Sequence, residues 1–298
     1  MDRTSSFIVD HAGLRLDRFV ALKCPEISRT FAQKLIGEGN VTVNSRVVRA
    51  SLKLDGGDTV NITVPPEPSV QLLPEDIPLG IIYEDDDLLV IDKPAGLTVH
   101  PAPGHPDHTL VNALLHLYPH LADNGDSLRP GIVHRLDKDT SGLMLVVRNE
   151  AARADLISQF KNRIVHKTYR ALVKGRLTPE SGVIEAPLGR DPRNRKRMAV
   201  LTEGREARSE YRVMEYIGDC TLLEVVPQTG RTHQIRVHLS AIGYPVMGDA
   251  VYGVKSPHLS RQFLHACRLG FRLPATGKYV EFTSELPPDL AQALDAFV

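Results

Sequence analysis

The 298-residue sequence contains no tryptophan, and Tyr and Phe together supply only 5% of it. Cysteine is scarce as well: Cys24, Cys220 and Cys267 are odd in number and widely spaced. That pattern excludes a disulfide framework and a cysteine-built tetrahedral zinc site, and it suits reduced thiols in a core. No apolar run approaches the roughly 20 residues that cross a bilayer. The N-terminus MDRTSSFIVD lacks the long apolar core of a secretory signal, so no membrane partner and a cytoplasmic location are expected. Net charge is absent too, since 36 Lys and Arg balance 36 Asp and Glu. A nucleic-acid partner must therefore be argued from local clusters. There is no G-x-G-x-x-G, no P-loop and no cluster of Cys and His, so neither a metal nor an organic cofactor is expected.

What is present is a chain long enough for one small and one large domain, with 42% hydrophobic residues to fill their cores. Residues 1–10 read as a tail. Residues 11–66 hold two helical patterns (Leu16, Phe19, Val20; then Phe31, Leu35, Ile36 after Ser28) and short strand-like segments at 41–43, 47–48 and 59–64. The stretch 65–80, PPEPSVQLLPEDIPLG, has five prolines and no Lys or Arg, so 67–80 reads as an extended linker. Residues 81–298 mix strand-like runs (87–91, 143–147, 167–173, 221–226) with helical ones (152–161, 232–242) and many Gly/Pro turns. An α+β fold is expected.

The richest stretch is GIVHRLDKDTSGLMLV, residues 131–146. It sets His134, Arg135, Asp137, Asp139, Thr140 and Ser141 in a polar turn ahead of an apolar strand, where binding and catalytic groups tend to be held. Residue chemistry alone leaves several readings open. The turn could be a capped surface loop, a glycosidase pair made by Asp137 and Asp139, or a hydrolase triad of His134, Asp137 and Ser141. The close sequence spacing of the acids and the lack of a G-x-S-x-G elbow count against the last two. In TGRTHQIRVHLSAIGYPVMGDAVYG, residues 229–253, a helix from Thr232 closed by Gly243 would bury Ile235, Leu239 and Ile242 and project His233, Arg236 and Ser240 from another face. HKTYRALVKG, residues 166–175, reads as a strand carrying Tyr169. GRDPRNRKRMAV, residues 189–200, packs Arg190, Arg193, Arg195, Lys196 and Arg197 into eight positions; so dense a basic loop suits an anionic backbone.

Taken together, HRLDKDTSGL, HKTYRALVKG, the 229–253 segment and YEDDDLLVIDKPAGLTVHPAPG (83–104) resemble, in order, the motifs of the pseudouridine synthases that modify large-subunit ribosomal RNA. LLHLYPH and RNRKRMAV are most similar to the D type. Residues 11–66, with RLDRFVA and ISRTFAQKLIGEGNVTVN, resemble an S4 RNA-binding domain. The resemblance implies a mixed, mainly antiparallel central sheet flanked by helices and loops. It implies Asp137 as the catalytic residue, Arg236 as its ion-pair partner, and Tyr169 stacked on the target uracil. A guanidinium beside an enclosed aspartate would oppose the desolvation that favours its neutral form. Arg135 would enter the space left by an everted base, with His134 and Arg231 also at the RNA. Further RNA contacts are expected from Arg190, Arg193, Arg195, Lys196 and Arg197, and from Arg15, Arg18, Arg29, Lys34, Arg46 and Lys53. Lys93 is given a supporting role. The implied partner of a monomeric enzyme is 23S ribosomal RNA, alone or in a precursor of the large ribosomal subunit.

Overall fold

A computed structural model describes residues 3–65, 72–101, 106–123 and 129–297. The chain forms two compact units, Met1–Gln71 and Leu72–Val298. In the first, β1 (Arg3–Ile8), α1 (Leu16–Lys23), α2 (Arg29–Gly37), β2 (Val41–Val43), β3 (Arg46–Val47) and β4 (Thr59–Val64) follow in order. The strands make one antiparallel sheet, β1-β4-β2-β3. Leu16, Phe19 and Val20 of α1 and Leu35 and Ile36 of α2 bury their apolar stripes against Val41, Val60 and Ile62. Ser28 caps α2, its Oγ accepting from the Phe31 amide at 3.2 Å. The expected tail is instead β1, paired with β4 from Arg3↔Val64 to Ile8↔Thr59. RTSSFI carries too few apolar residues to announce a strand, and the backbone ladder along β4 supplies what the side chains do not.

Asp17 is wholly buried at the start of α1. It accepts from Arg15 Nε and Nη2 and from Arg29 Nε and Nη2, all at 3.0 Å, and from Gln33 Nε2 at 2.7 Å. The bonds from Arg15, joined by those from Gln33 and Arg29, outweigh burial and hold this carboxyl far below the usual carboxylate range.

The second unit runs β5 (Gly80–Glu84), β6 (Leu88–Lys93), α3 (Leu110–Leu117), β7 (Ser141–Val147), α4 (Glu150–Lys161), β8 (His166–Lys174), β9 (Ser181–Glu185), β10 (Leu188–Arg190), β11 (Met198–Val200), β12 (Arg208–Ile217), β13 (Cys220–Pro227), α5 (Gln234–Ala241), β14 (Leu264–Arg272), β15 (Tyr279–Thr283) and α6 (Pro288–Asp295). Its main sheet has the order β5-β6-β7-β14-β8-β13-β12-β9, with β15 also on β14, while β10 and β11 form a separate hairpin. Among the described pairings only β7 with β14 is parallel, so the α+β sheet is mixed and mainly antiparallel. Strands β6 and β7 are apolar on both faces because both faces are covered. Leu89, Ile91, Met144 and Val146 enter one core; Leu88, Val90, Leu143, Leu145 and Val147 enter another.

The expected linker is only partly a connector. Its residues 67–71 lie outside the described ones, but Leu72, Ile77 and Leu79 pack on the larger core, and Leu73 O accepts from Asn112 Nδ2 at 2.7 Å. The spaced apolar residues between its prolines had a face to bury.

β7 meets β14 only at His265↔Ser141 and Ala266↔Gly142, and the closeness there depends on Gly142. Its φ is +114°, and an added Cβ would lie 2.6 Å from the Ala266 nitrogen and closer still to its carbonyl oxygen. Gly142→Ala should therefore destabilise the chain by about 3 kcal/mol through strain and overlap, read as a lowered urea midpoint; an unchanged midpoint would show that the two strands can part freely. A second expectation concerns acid. Because folding lowers the Asp17 pKa, its contribution is complete above about pH 4 and is lost as the pH falls further. Asp17→Asn should flatten the acid limb of a melting-temperature-against-pH curve, and a limb as steep as the wild type's would refute the assignment.

Candidate active site

Beyond Gly142, β7 has no β14 partner, and its amides at 145 and 147 need acceptors. The preceding loop supplies them: Gly131 O accepts from Val147 N at 2.9 Å, and His134 Nε2 accepts from Leu145 N at 2.8 Å. Burial, and then the charge of Lys167, push the His134 pKa down to about 3. His134 is thus a neutral ring fastening the loop to the sheet, and the role of RNA contact expected for it gives way to this one. The loop closes in a turn, Thr140 N donating to Asp137 O at 3.1 Å.

Four further groups fix that turn from below. Lys93, fully buried at the end of β6, donates from Nζ to the carbonyls of Pro94 (2.7 Å), Leu97 (2.9 Å) and Lys138 (3.0 Å), one for each ammonium hydrogen. Burial lowers its pKa to about 7 against the opposing charges of Asp139 and Asp137. Arg261 binds Asp289 of α6 through Nε (2.6 Å) and Nη2 (3.0 Å), and also donates to Asp139 O and Ser141 Oγ. Ser141 Oγ lies 3.0 Å from His265 Nδ1, and Gln262 Nε2 reaches Thr140 Oγ1 at 3.2 Å.

Asp137 faces a cavity of about 450 Å³ together with Tyr169 of β8 and Arg236 of α5. Its Oδ2 accepts from Arg236 Nη1 at 2.9 Å. The rest of that guanidinium is clamped by Asp249, which takes Nε at 2.7 Å and Nη2 at 2.8 Å. Asp249 Oδ1 accepts as well from the amides of Val251 and Tyr252. Burial acts to lower Arg236 and to raise Asp249, but the bonds and charges between them win, so the arginine moves up and the Asp249 carboxyl moves down. Tyr169 is 9% exposed; burial first, then the charge of Asp137, raise its pKa, and the phenol stays protonated.

Helix α5 is not the amphipathic helix expected. Every residue from Gln234 to Leu239 is buried, Ile242 is 37% exposed, and His233 stands outside as the N-cap at φ 55°. His233 Nδ1 lies 2.8 Å from the Tyr252 hydroxyl, which also accepts from Met198 N at 2.7 Å. The guanidiniums of Arg236 and Arg197 sit 5.2 Å and 5.1 Å from the Tyr252 ring centroid.

The remaining expected residues divide. Arg135 is exposed at the cavity and donates from Nη2 to Thr232 Oγ1 at 2.8 Å, and Arg231, also lining it, donates to Glu206 O. In the β10–β11 hairpin Arg190, Arg193, Arg195 and Lys196 are exposed, Arg190 also donating to Arg195 O, whereas Arg197 is turned onto Tyr252. The basic run is therefore not one patch: Asp191 Oδ1 accepts from the amides of Arg193 and Asn194 and shapes it from within. In the first unit Arg15 and Arg29 are bonded to Asp17 and Lys34 pairs with Glu38 at 3.7 Å, although Arg29 and Lys34 are exposed, as are Arg18, Arg46 and Lys53. Asp139 does not line the cavity, and Ser141 is engaged by His265 and Arg261, so the paired-acid and triad readings lose their geometry. Asp249 and Tyr252 went unmarked in the sequence, although a helix arginine meant for burial called for a second carboxylate nearby.

Comparison with known proteins places the chain in a family. The RNA pseudouridylate synthase family profile matches residues 87–241, and the S4 domain profile matches residues 14–60. An "Uncharacterized RNA pseudouridine synthase" of Chloroflexus aurantiacus is 54% identical over 93% of this chain and 87% of its own. A "Ribosomal large subunit pseudouridine synthase D" of Nitrosomonas europaea is 45% identical over 96% of this chain and 85% of its own. The solved structure of human RNA pseudouridylate synthase domain containing 1 superposes with a TM-score of 0.58 at 30% identity, covering 77% of this chain and 90% of that one. The chain belongs to the RNA pseudouridine synthase family and carries an S4 domain ahead of the synthase domain.

Proposed function

We propose that this enzyme isomerises uridines of large-subunit ribosomal RNA, in the manner of the D type, with Asp137 as the catalytic carboxylate, Arg236 as its ion-pair partner and Tyr169 as the surface on which the uracil stacks. The observation that carries the reading is the Asp137–Arg236–Asp249 chain at the cavity with Tyr169. The names of relatives such as that of Nitrosomonas europaea support the large subunit as target.

The reaction breaks the bond from ribose C1′ to uracil N1, turns the base and joins C1′ to C5; the C5 proton leaves and N1 gains one. No redox change is involved. One carboxylate to engage the reacting centre, a flat aromatic surface to keep the detached base and an enclosed site suffice in type. The target nucleotide must leave its stack, at a cost of a few kcal/mol. Arg135, exposed at the cavity and held by a single side-chain bond, suits the filling of the vacated space. Arg231, Arg193, Arg195 and Lys196, and in the first unit Arg18, Arg46 and Lys53, are the cations we assign to the RNA backbone. A ribosomal RNA substrate supports a cytoplasmic location.

Asp137→Asn should abolish tritium release from ribosomal RNA labelled at uracil C5 while RNA affinity stays within about threefold of wild type; release at the wild-type rate would sink the assignment. Asp249→Ala leaves Arg236 buried with one carboxylate fewer. It should lower kcat about 10²-fold through misplacement and cost roughly 3 kcal/mol of stability, and equal kcat would mean that Asp137 needs no such support. Changing Arg18, Arg46 and Lys53 together to Gln should weaken RNA binding and shallow its salt dependence, measured by filter binding from 50 to 200 mM salt.

A further inference from the structure

Lys167 lies on β8 two residues before Tyr169, so both side chains leave the same face of the strand, and both line the cavity. Of the other cations there, Arg163 is exposed to solvent, and three have acceptors: Arg236 has two carboxylates, Arg135 has Thr232 Oγ1 and Arg231 has Glu206 O. Lys167 has none among the described residues. Its ammonium stands 5.6 Å from the centroid of Phe160, whose ring is 4.9 Å from that of His134. Burial pushes its pKa down to about 8, and the neutral His134 beside it offers no negative charge. An aromatic face offsets only part of what an ammonium loses on leaving water.

We propose that Lys167 binds a backbone phosphate of the RNA beside the everted uridine, an assignment that rests on the RNA-modifying reading above. A compact ammonium with three rotatable donors is suited to a phosphate oxygen. The uracil carbonyls are the competing acceptors in such a cavity. They are neutral, and would leave the lysine's charge uncompensated where a phosphate cancels it. Much of the ammonium's hydration is already lost in the free protein, so the contact forms with less desolvation than an exposed lysine would suffer. Lys167 would then fix the strand at one part of the cavity while Asp137 and Arg236 address the sugar and base at another.

The test compares wild type with Lys167→Met and Lys167→Arg, using transcribed 23S ribosomal RNA as probe. Lys167→Met should bind about tenfold more weakly and lower the slope of log affinity against log salt by about 0.7 to 0.9. Its KM should rise with kcat near wild type, and Lys167→Arg should restore both slope and KM. An unchanged slope with unchanged KM would overturn the proposal, as would a fall in kcat at constant slope, which would locate the contact on the base. Melting curves of both variants exclude misfolding as the cause, and the arginine variant answers the question if the methionine one is unstable. Absence of tritium release by the wild type would defeat the enzymatic reading, whereas the salt slopes would still decide the phosphate contact.

Discussion

A buried guanidinium can be kept only where its charge is answered, and Arg236 is answered twice. Asp249 takes two of its nitrogens and Asp137 the third. A buried ion pair is seldom a source of net stability, because desolvation consumes most of the Coulombic gain. What it provides is geometry. With Nε and Nη2 committed to Asp249, Nη1 points in one direction, and Asp137 Oδ2 is held where Nη1 ends. The amides of Val251 and Tyr252 hold Asp249 in turn. The Asp137 carboxylate is therefore positioned by a chain of contacts that begins in the backbone of Val251 and Tyr252.

The backbone of Asp137 is constrained independently. Its turn is pinned by the β7 amides above and by Lys93, Arg261 and Gln262 below. Two sets of constraints, one on the carboxylate and one on the main chain, meet at this residue; neither alone would define where its oxygens lie. Tyr252 extends the arrangement outward. Its ring lies beside Arg236 and its hydroxyl accepts from Met198 of the basic hairpin, so the hairpin is tied to the helix that carries Arg236. The polar content of the unit is concentrated here, where precision matters more than stability.

How much of this was legible beforehand follows the range of the interactions. Strands β7, β8 and β13 could be read from their apolar runs, because burial on both faces leaves a mark at most positions, and β2 and β4 from alternating burial. Strand β1 could not, since RTSSFI owes its conformation to hydrogen bonds with β4 and not to its side chains. The motif around Asp137 nominated the residue, but the partners that hold it lie more than a hundred positions away, at 261, 262 and 265, and no local periodicity reports such contacts. Charge misled most. Arg15, Arg29 and Arg197 looked like RNA contacts in a count of cations, yet two are bound to Asp17 and one is stacked on Tyr252. A list of basic residues does not distinguish a charge presented to solvent from one used inside the fold.

That distinction bears on how a protein with no net charge can hold a polyanion. Four of the cations that serve the fold are matched by carboxylates: Asp17 for Arg15 and Arg29, Asp249 and Asp137 for Arg236, Asp289 for Arg261. Setting these pairs aside removes charges of both signs and leaves the exposed Arg135, Arg193, Arg195 and Lys196 of the second unit without comparable partners. Their contribution to binding is screened by salt and carries no sequence information. Selectivity must then arise inside the cavity, where ions are desolvated and each contact has a direction, and where Arg236, matched by two carboxylates, differs in kind from Lys167, which has none. The first is neutralised before any RNA arrives and can serve geometry; the second keeps its charge for a ligand. Net neutrality of the chain thus conceals a division between charges balanced within the protein and charges left for the substrate to balance.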